Sequence, residues 1–178
     1  MDNYLPMTNY KQLLHAIKTF IFDVDGVMTD GIVLITPDGE LLRTMNVKDG
    51  YALQLAVRKG YRIIIISGGR CEAVRQRFSL LGVKEVFLGV SHKLEVFEAL
   101  QKEGVRPDEV LYMGDDIPDF EVMKKVHVAA CPADAAEEIK SVSRYISSKK
   151  GGQGCVRDVI EQVMKIQGNW FDDDGFHW

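Results

Sequence analysis

The segment TFIFDVDGVMTDG, residues 19–31, is the most informative stretch of this sequence. Its first four residues form a short run rich in aromatic and β-branched side chains, which ends at Asp23 and Asp25. A nearly continuous apolar run of this length is typical of a strand buried on both faces of a parallel sheet. Similar runs follow at residues 62–66, 85–88, 109–113 and 127–130, and helical patterns alternate with them. This alternation predicts an α/β fold with a doubly wound, Rossmann-like parallel sheet.

The segments between the strands carry apolar residues at helical spacing, with capping and terminating residues at their ends. Asp49 is the predicted N-cap of a helix that ends at Gly60, and Ser91 is the predicted N-cap of a helix that ends at Gly104. Three further helices are predicted over residues 70–81, after Pro118, and from residue 156 to just before Gly168.

Residues 31–46 interrupt this pattern directly after the first strand. Apolar residues on both sides of Pro37-Asp38-Gly39 predict a β-hairpin inserted at this point. We expect one domain over residues 1–168, with the hairpin at about 31–46, and a C-terminal tail over residues 169–178.

The composition excludes several classes of function. The chain has 178 residues, 46% of them hydrophobic, and a formal net charge of −4, so neither nucleic acid nor an anionic membrane is an expected partner. An apolar run of about 18 residues, which a transmembrane helix needs, is missing. Cys71, Cys131 and Cys155 are widely spaced and are expected to be reduced thiols. These features predict a cytoplasmic protein.

The ends of the predicted strands carry the residues that suggest chemistry, because ligands of open α/β sheets bind beyond the carboxyl ends of the strands. In chain order these residues are Asp23, Asp25, Ser67, Gly68, Lys93, Asp115, Asp116 and Asp119. Clustered carboxylates repel one another unless a hard cation lies among them, and Mg²⁺ suits oxygen ligands. A lysine, a hydroxyl and a Gly-Gly turn suit phosphate oxygens. Each signal alone is also typical of a helix cap, a turn or a solvated lysine, but together they predict a site for Mg²⁺ and phosphate.

The sequence resembles the four motifs of the haloacid-dehalogenase-like phosphohydrolases. The matching parts are FDVDGV at 22–27, Ser67, Lys93 and GDDIPD at 114–119. Within that superfamily, residues 23–31, the hairpin, NVKDG at 46–50 and GGQG at 151–154 are similar to the family of 3-deoxy-D-manno-octulosonate 8-phosphate phosphatases. The resemblance extends over roughly residues 17–166. It implies a Mg²⁺-dependent phosphomonoesterase that releases phosphate from this eight-carbon sugar acid, a step of lipopolysaccharide biosynthesis.

The resemblance also implies a role for each matching residue. Asp23 is the nucleophile that forms an aspartyl-phosphate, and Asp25 donates a proton to the leaving alkoxide before taking one from the hydrolytic water. The expected Mg²⁺ ligands are Asp23, the main-chain carbonyl of Asp25, and Asp115. Asp116 and Asp119 are expected to support the metal and Lys93. The phosphoryl group is expected to be bound by Ser67, Gly68 and Lys93.

Many phosphatases of this superfamily close a cap domain over the substrate, but the spacing of this chain leaves no room for one. Residues 26–66 are filled by the hairpin and one helix, and residues 68–92 by one helix and one strand. The resemblance implies instead a homotetramer joined through the hairpins, in which neighbouring subunits enclose each site. The alternative is a hairpin that folds back onto its own domain.

The substrate contacts are less well marked in the sequence. Arg77 matches an arginine of the family and is a candidate for binding the substrate carboxylate, with Arg70 as a second candidate; a plain surface arginine is the alternative for Arg77. Gly69 stands where the family often has an arginine, and where a branch acting on nine-carbon acids has a glutamate. Hydrolysis of the nine-carbon 9-phosphate is therefore one alternative function, and a non-catalytic tetramerisation module is another.

Two further segments have open interpretations. Residues 151–154 (GGQG) are a flexible joint, a backbone anion site or a docking surface. Residues 169–178 contain four large aromatic side chains, which predicts that the tail covers the active site of an adjacent subunit; a free chain end is the alternative.

Overall fold

The computed structural model describes residues 10–170 of the chain. The strands are β1 Thr19–Phe22, β2 Leu34–Ile35, β3 Leu41–Leu42, β4 Arg62–Ile66, β5 Glu85–Phe87, β6 Val110–Met113, β7 Val128–Cys131 and β8 Tyr145–Ile146. The α-helices are α1 Tyr10–Leu13, α2 Val47–Arg58, α3 Glu72–Leu80, α4 Lys93–Lys102, α5 Phe120–Met123, α6 Glu137–Val142 and α7 Cys155–Ile166. Short 3₁₀ helices lie at Leu14–Ala16, Pro107–Glu109 and Ile117–Asp119.

Six of the strands form one parallel sheet in the order β5-β4-β1-β6-β7-β8. Apolar cores lie on both of its faces. One face packs against α2, α3 and α7 through residues such as Leu53, Phe78 and Val159. The other packs against α4, α5 and α6 through Phe97, Val122 and Ile139. The predicted doubly wound α/β sheet is therefore confirmed.

The edge strand β8 and helix α6 were not predicted. β8 has two residues and α6 has six, so neither is long enough to produce a clear hydrophobic period.

Two predicted helix caps are wrong. Helix α2 begins at Val47, because the side chain of Asn46 accepts the N–H of Lys48 as its N-cap. Asp49 lies inside the first turn, is buried, and accepts the N–H of Arg157 in α7 at 2.7 Å. Its carboxylate therefore caps a different helix from the one the sequence suggested. The N-cap position of α4 is His92 rather than Ser91.

Strands β2 and β3 form a separate antiparallel hairpin, as predicted. Its apolar side chains do not pack back onto the domain, since Ile32 is 69% exposed, Leu34 65% and Ile35 68%. Within residues 10–170 the structure contains no cap domain: one helix follows the hairpin before β4, and α3 with β5 fills the space before Lys93.

Trp170, the last described residue, packs against its own chain. It is buried, its ring meets Tyr51 edge-on at a centroid distance of 6.5 Å, and the guanidinium of Arg157 lies 5.3 Å from its ring centroid. The tail therefore begins packed on its own chain, and the predicted contact with an adjacent subunit stays a prediction. Residues 171–178 lie outside the described residues.

None of the helices in the described part of the chain is long and apolar enough to cross a membrane.

Candidate active site

The strand register brings the predicted site residues to one edge of the sheet. Phe22, the last residue of β1, pairs with Ile65 of β4 on one side and Met113 of β6 on the other. Beyond these pairs the chain opens into a cleft of about 430 Å³. Its lining includes Asp23, Asp25, Ser67, Gly68, Lys93, Asp115, Asp116 and Asp119. The sequence placed these eight residues together, and the structure does so.

Three carboxylates form the floor of the cleft. Asp23, Asp115 and Asp119 each have an oxygen within 4.8 Å of the others. Burial, together with the charge of Asp119, raises the pKa of Asp23 to about 7. Burial and the charges of Asp23 and Asp119 raise the pKa of Asp115 to about 8. The fold therefore holds these groups where their ionised forms are unfavourable without a nearby cation.

Lys93 supplies one positive charge to this cluster. Its ammonium lies 2.9 Å from Asp23 Oδ2 and 2.7 Å from Asp119 Oδ1, and its side chain is buried. Burial alone would lower the pKa of Lys93, but the charges of Asp23 and Asp119 outweigh this effect and raise it. Lys93 sits at the start of α4, so its position depends on where that helix begins.

Asp119 is fixed from three sides. Its Oδ1 accepts the hydroxyl of Tyr112 at 2.5 Å as well as the ammonium of Lys93, and its Oδ2 accepts the N–H of Asp115 at 3.2 Å. Tyr112 is fully buried in β6. Gly114 makes this arrangement possible, because a Cβ on it would lie 2.3 Å from the Asp119 Cγ.

The donor set fits a hard divalent cation. Oδ1 of Asp115 is buried and lacks a hydrogen-bond partner within the described chain. A buried carboxylate oxygen without a partner is costly unless a cation binds it. Together with the nearby carboxylates of Asp23 and Asp119, Asp115 matches the all-oxygen ligand set that Mg²⁺ prefers.

The loop that follows Asp23 is closed by Thr29, which was not predicted from the sequence. The buried hydroxyl of Thr29 accepts the N–H groups of Gly26 at 3.3 Å and Gly31 at 3.2 Å. Gly26 has a φ of +87°, and a Cβ there would lie 1.9 Å from Asp115 Oδ2. This position therefore requires glycine for both backbone and steric reasons.

The GGQG segment packs against the backbone of the same loop. A Cβ on Gly151 would lie 2.0 Å from the carbonyl oxygen of Gly26, and one on Gly152 would lie 2.6 Å from the Asp30 nitrogen. The Gly152 N–H donates to the carbonyl of Val27 at 3.0 Å. The segment is thus a close backbone contact, which does not fit the flexible joint considered from the sequence; the anion site and the docking surface stay predictions.

Asp25 lies at the mouth of the cleft and is paired with Arg43, which was not predicted from the sequence. Arg43 Nε lies 2.6 Å from Asp25 Oδ1, and its Nη2 lies 3.1 Å from Oδ2. Arg43 directly follows β3, so the hairpin brings it to the cleft.

Ser67 and Asp116 have simple local contacts. The Ser67 hydroxyl is buried and accepts the N–H of Gly69 at 3.0 Å, which shapes the turn after β4. Asp116 is exposed and its carboxylate accepts the N–H of Ile117 at 2.8 Å, so it caps the 3₁₀ helix that leads to Asp119.

The two arginines predicted to contact substrate lie beside the cleft rather than in it. Arg77 lines a neighbouring groove of about 480 Å³ with Arg43, and its guanidinium lies over Gly50 of α2. Arg70 is exposed, packs over Gly89, and lines a second groove with Gly68 and Gly69. The structure of a single chain therefore does not bring either arginine to the acidic cluster.

Comparison with known proteins identifies relatives of this chain. No protein-family model matches it. The 3-deoxy-D-manno-octulosonate 8-phosphate phosphatase KdsC of Escherichia coli K12 is 36% identical over 153 residues, which cover 85% of this chain and 81% of that protein.

Several solved structures share the fold. The 3-deoxy-D-manno-octulosonate 8-phosphate phosphatase of Yersinia pestis superposes with a TM-score of 0.86 at 34% identity, over 89% of this chain and 86% of that one. The enzyme of the same name from Moraxella catarrhalis, solved with magnesium, phosphate and KDO, gives 0.86 at 32% identity, over 89% and 92% of the two chains. Sequence, fold and site agree: the chain belongs to the 3-deoxy-D-manno-octulosonate 8-phosphate phosphatase family of the haloacid-dehalogenase superfamily.

Proposed function

We propose that this protein is a Mg²⁺-dependent phosphatase that hydrolyses 3-deoxy-D-manno-octulosonate 8-phosphate to the free sugar acid and phosphate, in lipopolysaccharide biosynthesis. One observation carries the proposal: the Lys93 ammonium lies 2.9 Å from Asp23 Oδ2, and Asp23 has a carboxylate oxygen within 4.8 Å of one on Asp115, whose Oδ1 lacks a hydrogen-bond partner within the described chain. This arrangement offers a nucleophile close to both a cation-binding carboxylate and a phosphate-binding ammonium. The names and the bound molecules of the family members support the choice of substrate.

The residues of the cleft have separate roles in metal binding and phosphate binding. Asp23, Asp115 and the main-chain carbonyl of Asp25 would hold Mg²⁺, with Asp116 and Asp119 supporting it. When bound, the ion supplies positive charge that offsets the carboxylates and the incoming phosphate. Ser67, Gly68 and Lys93 orient the phosphoryl oxygens.

The reaction then proceeds in two steps on the residues of the chain. A carboxylate oxygen of Asp23 attacks phosphorus, the bond to the sugar oxygen breaks, and Asp25 gives its proton to that oxygen. Water next attacks the aspartyl-phosphate and gives a proton to Asp25. This step releases phosphate and restores both side chains.

We also propose that the protein acts as a cytoplasmic homotetramer, with residues 1–168 as the phosphatase domain and 169–178 as its tail. The hairpin supports assembly, because Ile32, Leu34 and Ile35 are left largely exposed on a single chain. In the tetramer, Arg70 and Arg77 would contact the substrate carboxylate. Light scattering of the pure protein at micromolar concentration tests this: a monomer with full activity would contradict it.

A substrate panel tests the proposed function. Phosphate release is measured with and without Mg²⁺ from the eight-carbon 8-phosphate, the nine-carbon 9-phosphate and hexose monophosphates. We expect Mg²⁺-dependent release with the highest kcat/KM for the eight-carbon ester. A higher kcat/KM for another ester would refute the substrate, and no release from any ester would favour a non-catalytic assembly module.

A further inference from the structure

Arg43 extends from the hairpin to Asp25, the proposed proton donor to the leaving group. Its Nε and Nη2 lie 2.6 Å and 3.1 Å from the two oxygens of Asp25, and its Nη1 donates to the Leu41 carbonyl at 3.1 Å. The Arg43 side chain is 11% exposed and that of Asp25 is 38% exposed. The contact is therefore a sheltered, two-point pair rather than a mobile surface ion pair.

Two glycines lie next to Asp25. Gly26 follows it in the loop, and Gly69 faces it without a side chain. A Cβ on Gly69 would lie 3.4 Å from Asp25 Oδ2 and 3.6 Å from Arg43 Nη2. The guanidinium fills space beside Gly69, and its planar fork restricts both the torsion and the tilt of the carboxylate.

We propose that Arg43 is a positioning residue that orients Asp25 for proton transfer, so that the hairpin supplies part of the catalytic geometry. The inference rests on the proposed role of Asp25. A carboxylate has about four lone-pair positions, and Arg43 uses two of them. When one oxygen of Asp25 is protonated, the other still accepts from the guanidinium, so the acid stays oriented while its proton goes to the sugar oxygen as the P–O bond breaks; the attacking water later supplies one proton in its place.

The leaving group of the substrate distinguishes positioning from general structural support. A sugar alkoxide needs a proton as it departs, whereas p-nitrophenolate is stable without one. The value of kcat/KM reports the steps through departure of the leaving group and is unaffected by later hydrolysis of the aspartyl-phosphate. A misoriented Asp25 therefore slows the sugar ester more than the aryl ester, while a damaged site slows both equally.

The experiment compares the eight-carbon 8-phosphate with p-nitrophenyl phosphate. We expect Arg43→Gln to lower kcat/KM for the sugar ester about tenfold and for the aryl ester less than about threefold. The tenfold loss is smaller than the roughly 10²–10⁴-fold that general acid catalysis contributes, because Asp25 is still present. Arg43→Lys keeps the charge without the fork and should recover part of the loss. Equal losses on both esters, or no loss on either, would overturn the proposal.

Two further variants complete the design. Arg106→Gln removes an arginine from the exposed pair with Asp108, and should leave both kcat/KM values unchanged. Asp25→Asn should show the same leaving-group dependence as Arg43→Gln, but more strongly. If Asp25→Asn shows this dependence and the Arg43 variants do not, only the positioning role fails. If Asp25→Asn does not show it, the proposed role of Asp25 fails as well.

Discussion

The hydroxyl of Tyr112 donates a hydrogen bond to Oδ1 of Asp119 over 2.5 Å, inside the central sheet. The same oxygen accepts the ammonium of Lys93 at 2.7 Å. Burial comes first among the causes that raise the pKa of Tyr112 well above its usual value, and the charge of Asp119 adds to it, so Tyr112 remains a neutral donor. A buried strand residue thereby helps to set the position of Lys93, the proposed phosphate-binding lysine.

Removing this hydroxyl should weaken phosphate binding. Tyr112→Phe leaves Asp119 held by Lys93 and by the Asp115 N–H, so we expect a loss of only about 1 kcal/mol in the free energy of unfolding. The inhibition constant for inorganic phosphate should rise about threefold to tenfold, because Lys93 is less firmly placed. Tyr61→Phe is the matched control, since its hydroxyl donates to Gln167 instead. Equal inhibition constants in both variants would contradict the proposed link.

The close contact between Gly151 and Gly26 predicts that adding a methyl group at Gly151 lowers both stability and activity. Gly151→Ala places a Cβ 2.0 Å from the Gly26 carbonyl oxygen, so the loop that carries Asp25 must move. We expect a loss of about 1–3 kcal/mol in the free energy of unfolding and a lower kcat.

Gly104→Ala provides the comparison for this variant. Gly104 has a φ of +96° and open space where the Cβ would lie, so only backbone strain of about 1 kcal/mol is expected there, with kcat unchanged. A Gly151 variant that is as stable and as active as the Gly104 variant would refute the role assigned to GGQG.

Asp49 predicts a pH dependence of stability away from the active site. Burial raises its pKa from 3.8 to about 6, against the hydrogen bonds it accepts from the backbone at Arg157 and Gly154. Because the folded state prefers the protonated acid, its contribution to stability is full below about pH 4 and is lost as the pH rises toward 6.

Asp49→Asn tests this dependence, since the amide keeps an acceptor for the Arg157 N–H without ionising. The melting temperature of the variant minus that of the wild type should increase from pH 4 to pH 6, and this difference should stay level at higher pH. A constant difference across this range would show that Asp49 is not responsible.

The sequence was sufficient for the parts of the fold and site that depend on local pattern. Continuous apolar runs predicted the central strands, and the chemical types at their ends predicted the cleft residues around Asp23. In contrast, Asp49 was misassigned because a carboxylate near the start of one helix caps another that is distant in the chain. The contact between Gly151 and Gly26 depends in the same way on packing between distant segments.

Arg43 and Tyr112 were missed for related reasons. Arg43 looks like a solvated residue at the end of a hairpin, and its partner Asp25 is brought near only by the way the hairpin folds. Tyr112 looks like one more apolar residue of a buried strand. Its hydroxyl was an available signal, since a buried tyrosine usually needs a hydrogen-bond partner.

Trapping the phosphoryl group on Asp23 tests the central claim most directly. The protein is mixed with Mg²⁺ and 3-deoxy-D-manno-octulosonate 8-phosphate, quenched during turnover, and reduced with borohydride, which converts an aspartyl-phosphate to homoserine. We expect tandem mass spectrometry to find homoserine at position 23, and to find none in the Asp23→Asn variant, which should release no phosphate. Phosphate release at the full rate with no modification at position 23, or with the modification at another aspartate, would contradict the account.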